Sequence, residues 1–247
     1  MKEALFYKHA DEDVVQCQLC PKQCFVEEGM FGDCGARKNI GGKLYSVAYG
    51  RAVSVNIDPI EKKPLYHFIP GTKAFSIGTA GCNMHCRHCQ NWEISQVRAG
   101  DLPEYELSPE QLVQEAISHD CETIAYTYNE PTVFYEYVLD TAKLAKENGL
   151  LNVMVTNGFI NTEPLRKLYK FIDGANIDLK SFEDRFYREN CKAWLEPILD
   201  AMVEIKRMGV WVEVTNLIIP DLNDDMEKIE EMCKWIFKNL GRETPLH

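Results

Sequence analysis

The sequence predicts an α/β fold with a parallel sheet, and three observations carry that prediction. From residue 74 onward, short apolar stretches alternate regularly with helical patterns. Glycine stands just past three of the helix ends, at Gly149, Gly209 and Gly241. Polar residues follow the apolar stretches in turn, so that they collect on one rim of the sheet.

The core strands are expected at Ala74–Gly78, Thr123–Tyr128, Leu151–Val155, Ala175–Leu179 and Val210–Ile219. Ser108-Pro109-Glu110-Gln111 forms a capping box with proline at the first helical position, and opens the first crossover helix. A second helix is expected over Pro131–Asn148. A third, near Lys192–Met208, places Leu195, Leu199, Met202 and Ile205 on one face, and a last spans Asp224–Asn239. Thr244–His247 reads as the start of a further strand. The candidates are an open doubly wound sheet or a barrel, complete or partial. Both place ligands at the C-terminal ends of the strands. There the sequence offers Cys82–Cys89 after strand one, Asn129-Glu130 after strand two, Thr156-Asn157-Gly158 after strand three, and Asp178 with Lys180 at strand four.

Residues 1–73 differ in texture and are expected to form a Cys-rich N-terminal extension, with the core over 74–247. Within the extension, Leu44–Tyr49 and Ala52–Ile57 read as two strands of a β-hairpin turning at Tyr49-Gly50. Prolines 59, 64 and 70 mark a loop before the core. The chain of 247 residues carries a net charge of −11, which argues against nucleic acid and anionic membrane as partners. No apolar run is long enough to span a bilayer and no apolar leader follows Met1, so a cytoplasmic location is expected.

Ten cysteines are too many for packing alone, and seven of them cluster. Cys82, Cys86 and Cys89 follow a C-x3-C-x2-C spacing, which offers three thiolates and no fourth. Structural zinc closes on four ligands, and a cubane ordinarily takes four cysteines. Three thiolates therefore need a remote partner or leave one iron open. Cys17, Cys20, Cys24 and Cys34 make a complete set that suits zinc or a four-cysteine iron–sulfur cluster, with a slight lean to zinc. Cys121, Cys191 and Cys233 stand alone and read as small buried hydrophobes.

In this context the C-x3-C-x2-C loop resembles the radical S-adenosylmethionine (SAM) superfamily. Gly81-Cys82-Asn83-Met84-His85-Cys86-Arg87-His88-Cys89-Gln90-Asn91 resembles the pyruvate formate-lyase-activating and other glycyl-radical-enzyme activases. The string through Trp92-Glu93-Ile94-Ser95-Gln96, with the N-terminal cysteine block, is most similar to the AmmeMemoRadiSam-system radical SAM enzymes. The resemblance implies a partial (β/α)6 TIM-like barrel and an oxygen-sensitive oxidoreductase of activating-enzyme type. It implies that Cys82, Cys86 and Cys89 hold a [4Fe–4S] cluster whose fourth iron binds SAM. Reductive cleavage then gives a 5′-deoxyadenosyl radical that takes hydrogen from a protein or small-molecule substrate. A flavodoxin- or ferredoxin-type donor supplies the electron.

By the same resemblance Glu130, in Tyr128-Asn129-Glu130, faces the methionine ammonium, although the family's preceding glycines are replaced. Lys180 pairs with the SAM carboxylate, Asp178 helps hold the ribose or a cation, Asn157 lies in a cofactor-facing segment, His88 packs near adenine, and His247 is a SAM-side histidine. Relatives continue past that position, so truncation is expected after His247. Glycyl-radical activation is one alternative function. A non-catalytic zinc or iron–sulfur interaction or electron-transfer protein is the alternative of another class.

Overall fold

The computed structural model describes residues 1–247. Six strands form its main sheet: β1 (Ser54–Pro59), β2 (Lys73–Gly78), β3 (Thr123–Tyr126), β4 (Leu151–Thr156), β5 (Gly174–Asp178) and β6 (Trp211–Thr215). Their order across the sheet is β6-β5-β4-β3-β2-β1. Strands β2 to β6 run parallel, and β1 lies antiparallel on β2 with Ser54 opposite Gly78. Spatial order follows chain order without reversal. A doubly wound sheet reverses at a switch point, whereas a barrel winds one way. The structure therefore selects the arc of a partial barrel. Beyond β6, Leu246 bridges Val214 in parallel, so the further strand expected at Thr244–His247 begins there.

The crossovers carry five helices of a turn and a half or more, α1 (Pro109–Ser118), α2 (Tyr135–Glu147), α3 (Thr162–Leu168), α4 (Glu196–Arg207) and α5 (Met226–Asn239). The capping box of α1 is complete: Ser108 Oγ accepts from Gln111 N at 3.2 Å, and Gln111 Oε1 accepts from Ser108 N at 2.9 Å. Pro131 begins a 3-10 turn, Pro131–Phe134, and regular helix starts only at Tyr135. Helix α3 escapes the sequence pattern because its seven residues bring only Pro164, Leu165 and Leu168 to the core. Between these helices the strand residues Ile124, Ala125, Val153, Met154, Ala175, Ile177, Val212 and Val214 are all buried, which is why the strands read as near-continuous apolar runs.

The N-terminal segment pairs differently from the sequence expectation. Leu44–Tyr49 and Ala52–Ile57 do not form a hairpin. Lys43–Ser46 pairs instead with Arg37–Ile40, while Arg51–Ala52 pairs with Tyr105–Glu106 and Ser54–Pro59 joins the main sheet as β1. The physical reason is the Gly41-Gly42 turn. Both glycines have positive φ, 60° and 70°, and Ile40 faces Lys43 across a two-residue loop. A second antiparallel sheet, Tyr7–Asp11, Val14–Cys17 and Phe25–Glu27, carries the first cysteines. The segment is tied to α2 by a buried fork in which Arg37 Nη2 and Nη1 donate to Glu136 Oε2 and Oε1 at 2.7 and 3.3 Å.

Candidate cofactor site at the strand ends

The parallel strands end together, and the loops that follow them enclose one open cavity of about 500 Å³. The residues singled out in the sequence that line it include Cys82, Cys86, His88, Cys89, Glu130, Asn157, Asp178 and Lys180. His247 is not brought there. Its ring lies 2.7 Å from Glu213 Oε2 and stacks on His67 at a centroid distance of 5.7 Å. Glu213 itself sits two residues before the cavity end of β6, and its carboxylate accepts from the backbone N–H groups of Tyr66, His67 and Phe68.

The loop carrying the three thiols is held from several sides. Gly81 N donates to Ile94 O, His85 N to Cys191 O and Arg87 N to Asn190 O, at 2.9, 2.8 and 2.9 Å. Asn129 Nδ2 donates to Gly81 O at 2.7 Å. Gly81 needs its φ of +95°, and a Cβ there would stand 2.2 Å from the Cys34 carbonyl oxygen. The loop is thus seated directly on the N-terminal cysteine segment. Cys82 Sγ accepts from Met84 N at 3.4 Å, and Cys89 Sγ meets Ser95 Oγ at 3.2 Å. Burial pushes the Cys82 thiol well above its ordinary pKa. The Cys86 thiol is held low, because Cys191 donates a hydrogen bond to it and Lys180 stands near.

Glu130 is 1 % exposed. Its Oε1 accepts from Thr132 N, Thr132 Oγ1 and Thr156 Oγ1 at 2.9, 2.6 and 2.8 Å, and its Oε2 accepts from Asn157 N at 2.8 Å. Burial raises its pKa and these bonds oppose the rise. Oε2 takes only one donor, so it retains capacity for another. Tyr128, which the resemblance sets against a glycine, adopts the glycine-type backbone, φ +71°. The side chain holds it there: Tyr128 Oη donates to Asp58 Oδ2 at 2.7 Å, and Lys63 Nζ lies 4.7 Å from its ring centroid. Across the cavity Lys180 Nζ donates to Asp178 Oδ2 at 2.7 Å. Burial disfavours the Lys180 ammonium, but Asp178 and Cys86 outweigh it and hold its pKa above the ordinary lysine range. Asn157 Nδ2 donates to Asn83 Oδ1 at 2.9 Å, and Asn83 Nδ2 to Phe159 O at 2.7 Å, which braces the cysteine loop against the end of β4. His88 lines the cavity with its ring 5.6 Å from that of Phe186.

Three participants were not visible in the sequence. Lys63 lines the cavity and is paired with Asp58 at 2.5 Å, both from the segment before β2. Cys191, read as an isolated hydrophobe, places its sulfur within 4.8 Å of ligand atoms of Cys86 and His88. No spacing rule relates residues 86 and 191; the turn Tyr187–Cys191 after β5 brings them together.

Fold and site together define a strand-end cofactor enzyme of the β/α-barrel kind, with three thiols, a carboxylate and an ammonium lining one cavity. The family model of the radical SAM superfamily matches residues 76–236, well over half of the chain, and the chain belongs to that superfamily. It is 49% identical over its whole length to the uncharacterized protein MJ0808 of Methanocaldococcus jannaschii, of which it covers 73%. It is 24% identical to a pyruvate formate-lyase-activating enzyme of Clostridium pasteurianum, over 65% of this chain and 67% of that one. Its fold is similar to that of a radical SAM methyltransferase from Sphaerobacter thermophilus, with a TM-score of 0.55 over 73% of this chain and 56% of the other, at 15% identity. The protein is a radical SAM enzyme, and the family's cofactors are a [4Fe–4S] cluster and SAM. Radical SAM activating enzymes draw on a reductant such as flavodoxin. No helix is long and apolar enough to cross a membrane.

Proposed function

We propose that Cys82, Cys86 and Cys89 hold the [4Fe–4S] cluster and that the cavity beside them receives SAM. The observation that carries this reading is that three thiols, a carboxylate and a partly buried ammonium line one open cavity. The donor set fits the cofactors: thiolates bind iron, and a carboxylate and an ammonium complement the two charged groups of an amino acid. When bound, the cluster and SAM supply the reductive cleavage that yields a 5′-deoxyadenosyl radical. The chain's own residues bind and orient. Glu130 Oε2 receives the methionine ammonium, and Lys180, fixed by Asp178, receives the carboxylate. Asp178 also offers an oxygen to the ribose. Asn157 positions both Glu130 and the cysteine loop, and the His88 imidazole offers a face to adenine. A flavodoxin- or ferredoxin-type donor supplies the electron, and the hydrogen comes from a protein or small-molecule substrate.

The test is anaerobic reconstitution with iron and sulfide, followed by dithionite and SAM. Formation of 5′-deoxyadenosine by the parent and its loss in Cys86→Ala are expected. Absence of the product from a fully loaded parent would refute the reading. Glycyl-radical activation is a second reading, favoured by the activating-enzyme relatives. It predicts that the hydrogen donor is a glycine of a partner protein, detected as a glycyl radical on that partner.

A further inference from the structure

The four N-terminal cysteines converge on a site of their own. Cys17, Cys20, Cys24 and Cys34 all line one small cavity of about 20 Å³, and none is in a disulfide. The remaining walls include Arg37 and Asn83.

The size of the cavity bears on which metal group it would take. Zinc at a Zn–S distance of about 2.3 Å draws four sulfurs to about 3.8 Å from one another. Sulfur surfaces at that spacing leave no room for a water-sized sphere between them. Room for one takes roughly 10–15 Å³, and the cavity exceeds this. The cavity beside the thiols thus has room for a body larger than a single ion. A [4Fe–4S] core ligated by four cysteines is such a body.

The polar groups agree. Arg37 is 1 % exposed, and its Nε–H is buried without a hydrogen-bond partner. Its two other nitrogens are engaged by Glu136. A buried donor left free on a wall shared with four thiols calls for an anionic acceptor. The sulfurs of a thiolate-bound cluster supply it.

The neighbourhood gives the site a role. Asn83 lines this cavity, and the adjacent Cys82 lines the strand-end cavity. Gly81 packs so closely on Cys34 O that no Cβ fits between them. The chain at Cys82-Asn83 thus borders both cavities.

We propose that Cys17, Cys20, Cys24 and Cys34 bind a second [4Fe–4S] cluster, set against the Cys82–Cys89 loop, that passes one electron to the cluster there. The identity of the metal rests on the N-terminal site alone; the electron transfer rests also on the proposed function. A low-potential iron–sulfur or flavin protein reduces the second cluster by one electron. That cluster is reoxidised as the SAM-side cluster is reduced, and no bond or proton moves.

The experiment uses the full chain, reconstituted anaerobically with ferrous iron and sulfide in the presence of competing zinc. About eight irons per chain are expected, as two cubanes, with no stoichiometric zinc. After reduction, SAM shifts the paramagnetic resonance signal of one cluster and leaves the other unmoved, and magnetic coupling splits both signals. The triple variant Cys82→Ala, Cys86→Ala, Cys89→Ala retains half of the iron, and its signal is unsplit and insensitive to SAM. If that variant does not fold, the iron count and the SAM-insensitive half of the parent signal decide alone. About four irons per chain, all responding to SAM, with or without one zinc, overturns the second cluster. Two clusters without coupling overturn the electron transfer. If instead no iron responds to SAM while half survives the triple variant, the second cluster stands and the proposed function falls.

Discussion

Substitution of Glu130 by Gln tests the link between fold and cofactor site, because the carboxylate bonded within the chain is the one proposed to receive SAM. The change keeps shape and removes charge. Three donors reach Oε1 and can be retained by an amide oxygen, whereas Oε2 accepts from Asn157 N at 2.8 Å. An amide NH2 at Oε2 sets donor against donor. With Glu130 1 % exposed, no water replaces the lost acceptor. Leaving one buried N–H unpaired, and weakening three bonds that had a charged acceptor, costs about 2–3 kcal/mol. The loss is present without cofactor, since every one of these bonds lies within the chain. It is read as a lower midpoint in anaerobic urea unfolding of metal-free protein. In the reconstituted enzyme, loss of a charge-assisted bond to the ammonium of about 1.5–3 kcal/mol weakens SAM binding by roughly 10- to 100-fold. A Glu130→Gln variant with the parent's urea midpoint and SAM affinity would exclude both roles.

Gly81→Ala forces a side chain onto the Cys34 carbonyl at φ +95°; backbone strain of about 1–3 kcal/mol, together with the displaced contact, lowers the urea midpoint and the iron bound per chain. A variant with parent values for both would disprove the seating of the loop on the N-terminal segment. Arg37→Met leaves the Glu136 carboxylate buried without its counter-ion, with only the Leu5 N–H still donating to it, which costs about 3–5 kcal/mol, and the double change Arg37→Met, Glu136→Leu recovers part of that loss. Equal destabilisation of single and double variants by thermal unfolding would contradict the pairing. Glu213 is held below its ordinary pKa: burial pushes it up, but His247, Trp211 and His67 outweigh this. Its stabilising contribution is therefore complete above the ordinary value of 4.5 and is lost as pH falls through the lowered one. Glu213→Gln is expected to flatten the acid limb of stability against pH; an acid limb as steep as the parent's excludes that role.

The legible parts of the fold were those whose cause is local. Strands β2 to β6 are buried on both faces and announce themselves as apolar runs. Gly149, Gly209 and Gly241, at φ +79°, +81° and +98°, mark helix ends as the pattern predicts. The N-terminal strands were mispaired because their partners are set by distant chain: Arg51–Ala52 meets Tyr105–Glu106, and Ser54–Pro59 needs β2. The same division runs through the site. The cysteine spacing, Glu130 and the Asp178–Lys180 pair sit within a few residues of a strand end. Lys63 reaches the cavity, and Asp58 and Cys191 reach residues that line it, only through tertiary packing, and no spacing predicts them. Tyr128 shows the opposite limit. A departure from the family's glycine reads as a lost backbone contact, yet the bond to Asp58 holds the residue in the glycine-type conformation.

The central claim is that three thiolates hold a cluster with one iron open to SAM, although a further thiol, Cys191, stands beside Cys86. The decisive measurement is the paramagnetic resonance spectrum of reduced, reconstituted Cys191→Ala with and without SAM. A parent-like cluster is expected in this variant, with a spectrum that changes when SAM is added. Loss of the strand-end cluster in Cys191→Ala, or a parent spectrum untouched by SAM, would show that the fourth iron is closed by protein and would contradict the account.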